Sequence, residues 1–148
     1  MMLTQNFSLE ELFRSEWAER HGVDNTPPSG VIGRLRNLAE HLERVRALLG
    51  GAPIIVSSGY RSPAVNAGIG SKAKHSAHLD GDAADFIAPK FGTPIEVCRE
   101  ISNSVIMFDQ LIHEHTWAHL SLAPALRRQL LTLRSDGGYD LGIQERGR

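Results

Sequence analysis

The residues best equipped for chemistry gather between Ser57 and Phe86, in the stretch SSGYRSPAVNAGIGSKAKHSAHLDGDAADF. Within it His78 and Asp85 stand seven positions apart, with Gly81 between them. On an unbroken strand that separation would set the two side chains roughly 23 Å apart and on opposite faces. They can share a metal ion only if the chain reverses. Leu79-Asp80-Gly81-Asp82 has the composition for a reversal, because glycine takes positive φ at little cost and aspartates favour turns. The next five residues, Ala83-Ala84-Asp85-Phe86-Ile87, read as a short buried strand carrying one carboxylate. A carboxylate among apolar neighbours needs a cation or several hydrogen bonds to stay ionised. Zinc between His78 and Asp85 would meet that need.

The best third ligand is His119, in the alternating run Trp117-Ala118-His119-Leu120-Ser121-Leu122, where Trp117, His119 and Ser121 share one face. Two histidines and an aspartate leave the fourth tetrahedral position open for water, the arrangement of a catalytic rather than a structural zinc. The run Asp80-x-Asp82-x-x-Asp85 superficially suggests calcium but lacks the EF-hand spacing and its terminal glutamate, so Asp82 reads as a turn residue. His75 reads as an exposed loop histidine. Cys98 stands alone, which excludes an intrachain disulfide or a thiolate metal set, and reads as a small apolar residue on the buried side of a helix.

Three motifs in order carry a family resemblance. SGYRSPAVN, then Ser-x-His-x-x-Gly-x-Ala-x-Asp (Ser76, His78, Gly81, Ala83, Asp85), then Trp-x-His (Trp117, His119), resemble the zinc D-alanyl-D-alanine peptidases. That family includes bacterial D,D-carboxypeptidases and phage endolysins and shares its fold with the Hedgehog signalling domain. The resemblance implies one zinc ion on His78, Asp85 and His119, with Arg61 polarising the substrate carbonyl. Several branches of the family place an acidic base three residues before the last histidine, where this chain has Thr116; the nearest upstream carboxylate is Glu114. Glu114 is therefore the expected base and proton donor, with His113 and His115 as substitutes that could also bind the tetrahedral intermediate. Ser76, His113, His115 and Trp117 are the expected substrate contacts.

The elements that must position these groups are legible in outline. Ser8 and Glu11 form a capping box, with Phe7 placed to staple onto Leu12, so a helix is expected to about Arg20. A loop over residues 21–30 follows. Val31, Leu35, Leu38, Leu42, Val45 and Leu49 then mark one face of a core-facing helix ended by Gly50-Gly51. Residues 53–57 read as a β-branched strand, and Ser62-Pro63 as the start of a helical turn through Asn66 that fixes Arg61 at a strand end. Residues 67–74 read as a loop over the cleft. Thr93-Pro94-Ile95-Glu96 opens a second capped helix, to about Ser104. Residues 106–114 and 117–122 read as neighbouring strands that bring Glu114 and His119 together at a hairpin mouth. Residues 129–133 and 139–143 suggest a small hairpin or a helix end, and Gly147-Arg148 a frayed terminus. The expected fold is α+β, a small central antiparallel sheet carrying the zinc site and flanked by helices, of the Hedgehog and D,D-peptidase kind.

At 148 residues the chain suits one domain, with a core over about 7–122 and an extension over 123–148. Its net charge of −1, without a basic stripe, gives no support to nucleic-acid binding. No run approaches the roughly 20 apolar residues of a membrane span. Residues 1–7 lack the charged and apolar regions of a secretory signal, so the expectation is cytoplasmic synthesis without cleavable export. The family then implies delivery to the wall by phage lysis or in a virion, a monomer, and peptidoglycan as partner. The expected function is a zinc peptidase cutting peptidoglycan stem peptides, as an endolysin-type endopeptidase or a D,D-carboxypeptidase. The alternative is a non-catalytic, zinc-stabilised module that binds the wall or another protein.

Overall fold

Both capping boxes form as the sequence predicts. Ser8 accepts from the Glu11 amide and Glu11 reaches back to the Ser8 amide, opening α1 (Leu9–Phe13). The single helix expected to Arg20 is instead two. Arg14 is extended and Ser15 caps a second helix, α2 (Glu16–His21), by accepting from the Ala18 amide. A serine that can bond the backbone two or three residues on competes with helix continuation. The structure, a computed structural model, describes residues 1–71 and 75–145. Parts of the loop expected at 67–74 and the terminus at 147–148 lie outside those residues.

The long helix α3 (Ser29–Leu48) buries Leu35, Leu38, Leu42 and Val45 completely, each contributing about 1.5–3 kcal/mol relative to exposure. It packs with α5 (Pro94–Ser102), which buries Val97, Cys98 and Ile101. Between them in the chain come β1 (Ile55–Ser58), α4 (Pro63–Gly68), a 3₁₀ turn (Ala77–Asp80) and β2 (Ala83–Ile87). After α5 follow β3 (Gln110–His113), β4 (Ala118–Ser121), β5 (Gln129–Leu133) and β6 (Tyr139–Leu141).

The sheet order is β1-β2-β4-β3-β5-β6. The α+β class holds, but the small antiparallel sheet is corrected to six strands with one parallel pair, β3 with β5. The strand expected over 106–114 is confined to β3. Upstream of it the Arg128 guanidinium sits 4.7 Å over the Phe108 ring and donates to the carbonyls of Ser104 and Ile106, so those carbonyls serve a side chain and not a ladder.

The alternation of the strands separates core from site. Ala84 and Phe86 of β2, Ala118 and Leu120 of β4, and Leu111 of β3 face the helices and join one apolar cluster. Asp85, His119, Ser121, Gln110 and Ile112 face the other way and line a cleft of about 620 Å³. Cys98 lies on the core side, its thiol pushed up to about 12 chiefly by burial, as an inert core residue.

Candidate metal centre

In the antiparallel pair of β2 and β4, Asp85 lies directly opposite His119. Partners in such a register project from the same face with adjacent Cβ atoms. Asp85 Oδ1 accordingly sits 2.9 Å from His119 Nδ1. His78 arrives from outside the sheet. Ser76 caps the 3₁₀ turn, Gly81 closes it at φ 76°, and the chain reverses into β2. That reversal brings His78 Nε2 to 3.4 Å from Asp85 Oδ2. A Cβ on Gly81 would meet Val31 Cγ1 at 2.7 Å, so both the backbone angle and the packing call for glycine.

Gly59 sets the orientation of His78. The His78 Nδ1 lies 2.7 Å from the Gly59 carbonyl, which can only accept, so Nδ1 carries the proton and Nε2 presents a lone pair. Facing that lone pair is a carboxylate oxygen, also an acceptor. Two acceptors this close favour a cation between them. The whole donor set fits one: a ligand atom from each of His78, Asp85 and His119 lies within 4.8 Å of the other two, and all three residues are buried. Burial pushes the Asp85 carboxyl up, but the hydrogen bond and charge of His119 outweigh it and hold the group ionised. Burial also holds His78 in its neutral, ligating form.

Around this trio the cleft carries Glu114 and Arg61. Glu114 Oε2 lies 3.8 Å from His119 Nδ1 and accepts from Trp117 Nε1 at 3.2 Å. The Glu114 carboxyl is raised above the ordinary glutamate value, first by burial and then by the Asp85 charge. Arg61 lines the same cleft; its Nη2 reaches Ser76 Oγ at 3.5 Å, and its buried Nε has no hydrogen-bond partner among the described residues. Ser76 and Trp117 line the cleft too. His75 stands at its rim.

The structure does not bring His113 or His115 to this site, which corrects the expectation that either contacts substrate or substitutes as base. His113 alternates away from Ile112 and its Nδ1 bonds the Gln144 carbonyl at 2.9 Å. His115, at φ 68° in the turn, directs Nε2 to the Leu133 carbonyl at 2.7 Å. Thr116 is exposed and lines a shallow groove with Ile87 and Pro89, outside the cleft lining.

Sequence reading missed two positioning residues. Gly59 is one; a Cβ there would fall 2.2 Å from the Leu12 carbonyl oxygen, so only glycine lets the strand pass α1 while serving His78. Buried Asn25 is the other. It donates to the carbonyls of Phe13 and Tyr60 and accepts from the Ser62 amide at 2.8 Å, bracketing Arg61 on both sides. The composition of residues 21–30 marks a loop, and nothing in it marks these long-range bonds.

Residues 5–121 match the family model for peptidase M15. The chain belongs to that family. The match spans His78, Asp85 and His119 and the motifs that suggested D-alanyl-D-alanine peptidases, and membership makes the protein a peptidase by descent. A search of curated proteins finds no match to the chain.

Proposed function

We propose that this M15 peptidase is a zinc enzyme that hydrolyses peptide bonds in peptidoglycan stem peptides, as an endolysin-type endopeptidase or a D,D-carboxypeptidase. The observation that carries this reading is the convergence of His78, Asp85 and His119 on the floor of an open cleft, with Glu114 and Arg61 beside them. A zinc ion held there would acidify water and polarise a substrate carbonyl.

The chain's own residues supply the rest. Glu114 accepts the proton of the attacking water and returns it to the leaving amine; its raised pKa brings it nearer to neutrality, where a general base works best. The Trp117 indole fixes the carboxylate while leaving its second oxygen available. Arg61 donates to the oxygen that gains charge as the carbonyl is attacked, and a donor in that role is worth roughly 3–4 kcal/mol. Burial lowers the pKa of the guanidinium and the Asp85 and Glu114 charges oppose that, so from its high ordinary value it stays protonated throughout. The cleft opens to solvent on the sheet face, which suits a polymer that must be admitted sideways.

Digesting isolated sacculi and identifying the released muropeptides by mass spectrometry tests the proposal. New amino termini that vanish with a chelator and return with zinc support it. Retention on sacculi without any cleavage supports the non-catalytic module instead. The presence of Glu114 in the cleft, in place of Thr116, argues for the enzyme.

A further inference from the structure

The family match ends at residue 121, yet the cleft does not. The strands that follow extend the metal-bearing face of the sheet. Ile112 lies level with Leu131 in the parallel pair of β3 and β5, and Leu131 lies opposite Leu141 in β6. One row further on, Thr132 is level with His113, so Leu133 stands beside the turn that carries Glu114, and Tyr139 lies opposite Leu133. By strand alternation Tyr139 projects from the same face as Ile112 and His119. It lines the cleft together with Glu114 and Trp117.

Tyr139 is held as a fixed wall. The turn before it is locked by Arg134, which donates from Nε and Nη2 to Asp136 at 3.0 and 2.8 Å and from its amide to the Gly138 carbonyl at 2.7 Å. The far side of the hairpin is hooked to β3: Thr132 Oγ1 donates to the Gly142 carbonyl and accepts from the Gln144 amide, both at 2.8 Å, and the Gln144 carbonyl meets His113. The ring is 48% exposed although half of it is packed, and no protein group hydrogen-bonds its hydroxyl among the described residues. A phenol so placed keeps its proton, because burial and then the Glu114 and Asp85 charges push its pKa up.

We infer that Tyr139, contributed by the C-terminal hairpin beyond the family's common region, is a substrate-binding residue that donates its phenolic hydrogen to a main-chain carbonyl of the bound stem peptide on the Glu114 side of the metal centre. The hairpin thereby belongs to the substrate cleft. This rests on the proposed peptidase function, and the test separates the two. Full-length protein and its Tyr139→Phe variant are compared with purified muropeptides in steady-state cleavage. Direct titration calorimetry on Glu114→Gln and Glu114→Gln/Tyr139→Phe then measures binding without turnover. One neutral hydrogen bond predicts a three- to tenfold rise in KM and in Kd, with kcat changed less than twofold and zinc content unchanged. Equal KM and Kd for the pairs, with the parent active, overturn the role of Tyr139 and leave the peptidase reading intact. A fall in kcat at constant Kd overturns it as well, since the residue would then act on the transition state alone. A parent that neither binds nor cleaves muropeptides sinks both.

Discussion

Glu114→Gln isolates the acid–base function from everything else the site does. The replacement is isosteric, and its amide oxygen can still accept from Trp117 Nε1, now 3.2 Å from the carboxylate. Glu114 is not among the three clustered ligand residues, so the metal should remain. What disappears is the capacity to take and return a proton, a contribution of about 10²–10⁴ in rate, or roughly 2.7–5.4 kcal/mol of transition-state stabilisation. The expected result is a loss of that size in kcat on muropeptides, with KM within a fewfold and one zinc per chain by elemental analysis. Glu114→Asp should recover little, because shortening the side chain by one methylene draws the carboxylate away from Trp117. A Glu114→Gln enzyme that turned over at the parent rate with its zinc in place would refute the assignment and return the search for a base to water itself or to the ligand carboxylate.

Five further outcomes follow from the same geometry. Gly59→Ala should weaken zinc binding 10- to 100-fold, read by chelator competition, because the Leu12 carbonyl must move and His78 Nδ1 loses its fixed acceptor. Arg61→Ala should lower kcat by about 10²–10³ without changing zinc stoichiometry, and Asn25→Ala should give a milder version of the same defect with a lower Tm. Zinc added to metal-free protein at a thousand times its Kd should stabilise folding by about 4.1 kcal/mol, a rise in Tm that His119→Ala abolishes. Asp109, buried and bidentate with Arg127 at 2.9 Å, has its carboxyl pulled down chiefly by those hydrogen bonds. Its stabilisation is complete above the unfolded value of about 3.9 and disappears as pH falls through the lower folded value, so the melting difference between the protein and Arg127→Met should shrink as pH falls below about 4.

Local signals were the most legible. The boxes at Ser8 and Thr93 lie within four residues of chain, and both form. The heptad-like spacing from Leu35 to Val45 reports one buried helix face. The convergence of His78, Asp85 and His119 was also readable, since a glycine-closed reversal and an alternating strand are short-range features and their meeting needs only that β2 and β4 pair. Long-range backbone bonds left no such trace. The hold of Gly59 on His78 spans 19 residues, and Asn25 reaches 37 to Ser62, distances over which residue type says nothing about partner. The face of His113 is not legible, because a histidine on the strand beside His119 looks the same in sequence whichever face it takes; one residue of register decides it. The parallel pairing of β5 escaped for a related reason, since a five-residue apolar run fits either direction.

That parallel pairing bears on how the polypeptide can be cut. β5 covers the flank of β3 opposite β4, so a fragment ending where the family region ends would leave the Gln110–His113 backbone with a bare row of amides and carbonyls. Such a rim invites another copy to add on, and the shortened product should be sticky and poorly soluble whatever the state of its metal ligands. Trimming for expression therefore belongs after Gln144, since Leu3 and Phe7 at the amino end are part of the core.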